Sequence, residues 1–248
     1  MDDNLPVNHV IACAVLEDEV AAALAACHST AVLHLVEQGL HNEPERLRAQ
    51  LQDRIDAVEA AAGPAGIIAL AYGLCSRGCA GLGARRSALL IPRAHDCLTI
   101  LLGSRERYDR YQQDHPGTYW YSPGWNRHGA PPSAALMASK RATYAASYGE
   151  DQADYLMDCL EHWVHDYRRA AYVHQGTHDI SADEAFTRSA AAHFGWEYAC
   201  EQGDPALLRD LVAGRHDPQR FCLIPPGWVS AHDDAQILIA VSGTGGVQ

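Results

Sequence analysis

Gly66-Ile67-Ile68-Ala69-Leu70-Ala71-Tyr72-Gly73-Leu74-Cys75 is the stretch that decides the fold. An apolar run without polar alternation reads as a strand buried on both faces, the habit of parallel sheets. The pattern recurs at Ala88-Leu89-Leu90-Ile91, closed by Pro92-Arg93-Ala94-His95-Asp96-Cys97. Working outward, strand-like and helix-like segments alternate. Val10–Leu16 precedes a helical pattern at Asp18–Ala26, and Ala31–Val36 precedes another at Pro44–Ala62. Pro44 suits the first helical turn. Leu47, Leu51, Ile55 and Val58 give that helix an apolar stripe at spacings of three and four. A further helix is expected over Cys97–Asp114. This alternation predicts an α/β fold with largely parallel, Rossmann- or flavodoxin-like sheets.

The second half continues the theme. Glu150–Arg169 reads as one long amphipathic helix, Ala170–Val173 as a strand, Ala182–Phe194 as a helix and Trp196–Cys200 as a strand. Pro205–Val212 reads as a helix, and Phe221–Ile224 and Gln236–Val241 as strands. The expected organisation is an N-terminal lobe over residues 1–128, a linker over 129–146 and a C-terminal lobe over 147–248. Tyr121-Ser122-Pro123-Gly124-Trp125 echoes Ile224-Pro225-Pro226-Gly227-Trp228, and Ile67–Gly73 echoes Ala170–Gly176, both at an offset of 103 residues (125 to 228, 73 to 176). An internal duplication giving two similar lobes across a cleft accounts for these echoes. Ordinary Pro-Gly turn chemistry accounts for them without one.

Composition narrows the partners. With 19 Lys and Arg against 31 Asp and Glu, the formal charge of −12 disfavours nucleic acid and anionic membrane. The amino terminus lacks a signal-peptide charge pattern, and no apolar segment is long enough to span a bilayer. A cytoplasmic protein with free thiols is the expectation. Of the eight cysteines, Cys13, Cys200 and Cys222 lie in apolar runs and read as small buried hydrophobes.

Loops at the carboxyl ends of parallel strands converge on one crevice, where α/β proteins bind ligands. Cys75, His95 and Cys97 lie on such loops, as do Glu37 and His41 after the second strand. Soft donors of this kind suit zinc foremost, or iron or cobalt, with Cys75, His95 and Cys97 as ligands and His41 as a fourth. Glu37, His41 and Asp96 are the candidate acid/base groups. A metal-independent alternative makes Cys75 or Cys97 a nucleophile with His95 as base. In that reading Cys97 has its pKa lowered by the start of a helix. Arg93, Tyr121, Ser122 and Trp125 are candidate substrate contacts, joined by His174 and His178 around the Gly176 loop. Cys159, His162 and His165 share a helix face but read more simply as a polar surface.

These motifs resemble the family catalogued as domain of unknown function 1638. The matching stretches are Leu35–Asn42, Tyr72–Cys75, Ile91–Cys97, Leu102–Tyr108, Gly117–Tyr119 and Ser122–Trp125, with Gly195-Trp196, Gly203-Asp204 and Pro225–Gly227. The resemblance covers nearly the whole chain. It implies roles for Glu37, His41, Cys75, Arg93, His95, Asp96 and Cys97, whereas Cys79 falls outside the pattern. It also implies an association with corrinoid-dependent methyltransferase systems, and so with methyl-group or one-carbon metabolism.

The leading expectation is a metal-dependent enzyme acting on a small molecule, with a corrinoid or methyltransferase partner. Two readings stand beside it: the cysteine nucleophile, and a non-catalytic accessory protein that holds a metal or metabolite for delivery.

Overall fold

The computed structural model describes residues 6–62, 66–233 and 237–243. Met1–Leu5 and Gln236, both used in the sequence reading, lie outside them. The strands are β1 (Val7–Cys13), β2 (Val32–Val36), β3 (Ile67–Ala71), β4 (Ala88–Pro92), β5 (Thr118–Tyr121), β6 (Arg169–His174), β7 (Glu197–Gln202), β8 (Phe221–Ile224), β9 (Trp228–His232) and β10 (Leu238–Ser242). The helices are α1 (Glu17–Ala26), α2 (Pro44–Ala62), α3 (Cys97–Leu102), α4 (Arg105–Asp114), α5 (Pro123–His128), α6 (Ala134–Tyr148), α7 (Glu150–Leu160), α8 (Ser181–Phe194) and α9 (Ala206–Val212). None of the described helices is long and apolar enough to cross a membrane.

Two compact units form, one from Met1–Tyr108 with Gly203–Gln248, the other from Asp109–Gln202. In the first, a five-stranded sheet runs in the order β2-β1-β3-β4-β8. The first four strands are mutually parallel and β8 pairs antiparallel to β4. The β2-β1-β3-β4 order is that of doubly wound, flavodoxin-type sheets, whose ligand crevice lies where the order reverses, between β1 and β3. Every residue of β3 and β4 is buried, as their unbroken apolar runs require. Leu47, Leu51, Ile55 and Val58 of α2 fill the layer above them. Glu59 of the same helix accepts the backbone N–H groups of Arg85, Arg86 and Ser87 at 2.9, 2.8 and 2.8 Å, fixing the entry to β4.

The second unit is built on the three-stranded parallel sheet β5-β6-β7. Its core joins Tyr121, Tyr172, Val164 and Trp196. The expected linker is not a linker: Ser133 accepts the Leu136 N–H and starts α6, a fifteen-residue helix inside this unit. The expected long helix over 150–169 stops at Leu160. Glu161 is buried there, held by Lys140 at 2.7 Å and by Tyr144 and Trp163, and a 3-10 turn over His162–Asp166 follows.

The proposed boundary between lobes also falls elsewhere. Residues 203–248 return to the first unit, where β8 closes its sheet. The two Pro-Gly motifs occupy different settings: Ser122–Trp125 opens α5 after a parallel strand, whereas Pro225–Gly227 turns β8 into β9. Turn chemistry therefore accounts for that echo.

Candidate functional site

Register builds the site. Ala12 of β1 aligns with Ala71 of β3, so Cys13 and Tyr72, each one residue further on, emerge together at the carboxyl edge. This is the reversal point of the strand order. On the neighbouring side, the loops after β3 and β4 are stitched by their backbones: Leu74 N–H donates to Ala94 C=O at 2.8 Å and Cys75 N–H to His95 C=O at 2.9 Å. Gly73 permits that approach, because a Cβ there would stand 2.6 Å from the Asp96 nitrogen.

Cys75, Ser76 and Arg77 then adopt φ of +46°, +55° and +70°, three successive left-handed residues without a glycine. Each such residue costs on the order of 1–2 kcal/mol, so the surroundings must impose the turn. They do so through Gly78 N–H to Cys75 C=O (2.9 Å) and Cys79 N–H to Leu74 C=O (3.3 Å). Ser230 of β9 fixes the exit, its buried hydroxyl donating to Cys79 C=O at 2.6 Å and accepting Leu82 N–H at 2.9 Å.

Four thiols gather at this edge. Cys79 is fully buried, while Cys13, Cys75 and Cys97 are half-buried. The thiols of Cys13, Cys75 and Cys97 are all shifted upward. An interaction with the Cys79 thiol and then burial hold the Cys75 thiol well above the ordinary range, with the Asp96 charge adding to them. Burial first, then Asp96, Cys13 and Cys75, raise Cys97. Burial raises Cys13, assisted by Cys75. Tyr72 is only 4% exposed; burial, then Cys13, Cys79 and Cys75, push its phenol upward. The Cys13 thiol interacts with this phenol but off hydrogen-bonding geometry, leaving Tyr72 Oη a buried polar atom without a partner.

Several expected roles change. Cys97 does open α3, but its pKa is raised and not lowered, because burial and the adjacent carboxylate outweigh the dipole of a six-residue helix. Asp96 is the cap of α3, its Oδ1 accepting from Thr99 N–H (2.9 Å) and Thr99 Oγ1 (3.1 Å). The His95 ring packs against Tyr108, with centroids 5.6 Å apart. Arg93 is spent on structure: it donates to the carbonyls of Pro218 (2.9 Å), Phe221 (3.1 Å) and Leu238, tying β4 to β8 and β10. Glu37 is exposed and pairs with Arg46 at 3.4 Å beside an open surface pocket of 460 Å³, and His41 stands exposed on a 3-10 turn. Among the described residues, no three His, Cys, Asp or Glu side chains are grouped to hold a metal ion, so the expected set of Cys75, His95, Cys97 and His41 is not assembled.

The remaining candidates belong to the second unit. Tyr121 is fully buried, its hydroxyl donating to Pro132 C=O at 2.9 Å. Ser122 caps α5 by accepting Trp125 N–H at 3.2 Å. His174 Nδ1 accepts Gly176 N–H at 3.2 Å; burial and the His178 charge lower its pKa. His178 lies 3.4 Å from Asp183, whose other oxygen accepts from Asn126 at 2.9 Å.

Sequence reasoning missed Tyr72, Cys13 and Cys79. The signal was available for two of them, since Cys13 ends one strand and Tyr72 follows another at the same edge. The fold is thus mixed α/β, with one mostly parallel and one parallel sheet, and four cysteines lie at the carboxyl edge of the first. The chain belongs to the family described as protein of unknown function (DUF1638), which matches it over residues 35–212. That span contains Tyr72, Cys75, Cys79, Asp96 and Cys97, and leaves out Cys13. No curated protein and no solved structure matches the chain.

Proposed function

We propose that the chain is a cysteine-dependent enzyme acting on a small, soft electrophile, with Cys75 as the reacting thiol. One observation carries this reading: strand ends at the switch point bring Cys13 and Cys75 together beside a buried phenol that has no hydrogen-bond partner, with Cys97 near both thiols. Sulfur is the natural partner of an electrophilic sulfur or methyl carbon, and a methyl donor would agree with what the family resemblance implies. In the reaction Cys75 Sγ bonds the electrophilic atom, the leaving group departs with its electron pair, and the thiol proton passes to Asp96 or solvent. Tyr72 stays protonated and supplies a hydrogen bond to the sulfur when it ionises. Because burial and neighbouring groups favour the protonated thiol, reactivity rises with pH beyond the ordinary cysteine range.

The test is alkylation mapped by peptide mass. Cys159 and Cys200 are exposed and Cys27 is half-buried, so all three are first replaced by serine. Cys75 is then expected to label ahead of Cys13, Cys97 and Cys222, increasingly so at alkaline pH. Labelling that spares Cys75 sinks the reading. Elemental analysis runs in parallel: a stoichiometric ion whose removal leaves the thiols more reactive would favour the metal-dependent alternative.

A further inference from the structure

We propose that Cys75 and Cys79 are a redox pair that reduces small-molecule disulfides, Cys75 meeting the substrate and Cys79 resolving the product. This rests on Cys75 being the reacting thiol, and it names the substrate class and the second sulfur. The geometry comes from the turn. Three left-handed residues, closed by Gly78 N–H to Cys75 C=O and Cys79 N–H to Leu74 C=O, fold residues 75 and 79 back onto one another. Their thiols also interact electrostatically. Exposure divides the labour: Cys75 is half-buried and borders solvent-exposed Ser76 and Arg77, whereas Cys79 is sealed from solvent. Ser230 pins the Cys79 carbonyl, so the buried sulfur stays in place while the strained turn on its other side presents Cys75. The Tyr72 hydroxyl, buried among Cys13, Cys75 and Cys79 without a hydrogen-bond partner, gains an acceptor when one of these sulfurs is a thiolate.

The chemistry balances without a further reagent. The Cys75 thiolate attacks one sulfur of R–S–S–R; that S–S bond breaks, RS⁻ leaves and takes up the proton, and a mixed disulfide remains on Cys75. Cys79, losing its proton, attacks Cys75 Sγ and expels the second RS⁻, which is protonated in turn. Two protein thiols are oxidised by two electrons to one intramolecular disulfide, and the substrate is reduced to two thiols.

The experiment treats the full chain, with Cys27, Cys159 and Cys200 replaced by serine, with 2-hydroxyethyl disulfide and analyses its tryptic peptides without reduction. Trypsin cleaves after Arg77, so a Cys75–Cys79 disulfide holds two peptides together that otherwise separate. The expected result is this linked pair, with two equivalents of mercaptoethanol released. Cys79→Ser, and Cys79→Ala as a second variant at this buried position, should stall with mercaptoethanol on Cys75. Cys75→Ser should leave Cys79 unmodified. Tyr72→Phe should slow adduct formation about tenfold at fixed pH and move its alkaline rise upward. A stable adduct on Cys75 in the Cys79-containing chain overturns the redox pair and leaves Cys75 as the reacting thiol. No modification of Cys75 under any condition overturns both. A disulfide between Cys75 and Cys13 or Cys97 assigns the resolving role elsewhere and overturns this pairing.

Discussion

The two units carry the same device, a parallel sheet whose carboxyl edge ends in polar loops, and they use it differently. At the edge of β5 and β6 Ser122 caps α5, Tyr121 bonds Pro132, and His178, Asp183 and Asn126 form a chain that leaves Asn126 Oδ1 without a partner. At the edge of β1, β3 and β4 the backbone is stitched as tightly, but Cys13, Cys75 and Cys97 remain neutral thiols, the first two beside a phenol with no partner. Topology thus gathers polar loops at both edges, while the raised thiols beside Tyr72 set the first edge apart. A buried donor left without an acceptor costs about 1–3 kcal/mol, a cost a folded protein retains where it serves another purpose.

The contrast can be attacked at its mechanical base. Gly73→Val places side-chain atoms against the Asp96, His95 and Ala94 backbone, and should cost about 3 kcal/mol by denaturant unfolding while separating the two thiol-bearing loops. If stability and Cys75 labelling are unchanged, the loop contact does not organise the site. Glu59→Gln should cost about 2 kcal/mol at neutral pH, because it removes a charged acceptor from three backbone N–H groups. Burial raises the Glu59 pKa, but those bonds outweigh it and the net shift is downward. Its contribution is therefore present above the ordinary glutamate range of about 4.3 and is lost as pH falls through the lower folded value. The wild type should lose stability over that acid window more steeply than the glutamine variant, as followed by unfolding at stepped pH.

A matched pair of substitutions gives the smallest effects and the cleanest contrast. Asp96→Ala removes the α3 cap, costing about 1 kcal/mol. It also removes the charge that helps raise Cys75 and Cys97, so their alkylation should quicken at fixed pH. Asp183→Ala should cost a similar amount and leave thiol reactivity untouched. Equal alkylation rates in the two variants would mean that Asp96 does not govern the thiols.

Much of the fold was readable from residue order. The fully apolar runs at 66–71 and 88–91 could be little else than buried strands, and Pro44 with the stripe of Leu47, Leu51, Ile55 and Val58 marked α2 from end to end. Local pattern failed where distant partners decide. Val10–Leu16 was expected as a strand, but the strand is Val7–Cys13, and Ala14–Leu16 is a buried 3-10 turn. Nothing near Phe221 announces that β8 returns to pair antiparallel with β4. The same limit applies to the site. That Cys75, Asp96 and Cys97 follow strands could be read from the sequence, while the carbonyls Arg93 meets lie about 125 to 145 residues away and leave no local trace. Cys13 read as a hydrophobe because its strand is apolar, and only the register with β3 sets it beside Tyr72.

The late return of β8 also dictates a sequence of events during synthesis. The β5-β6-β7 sheet can close once Gln202 has emerged, with partners drawn from a single continuous segment. The other sheet must wait for Phe221–Ile224, long after β4 has left the ribosome. At about 5–20 residues per second that interval is on the order of ten seconds. Throughout it the β4 edge has no neighbour, Arg93 lacks its carbonyl acceptors, and the nascent thiols sit on an unfinished platform. The residues of β8 thus set the moment at which the cysteine edge becomes a defined surface.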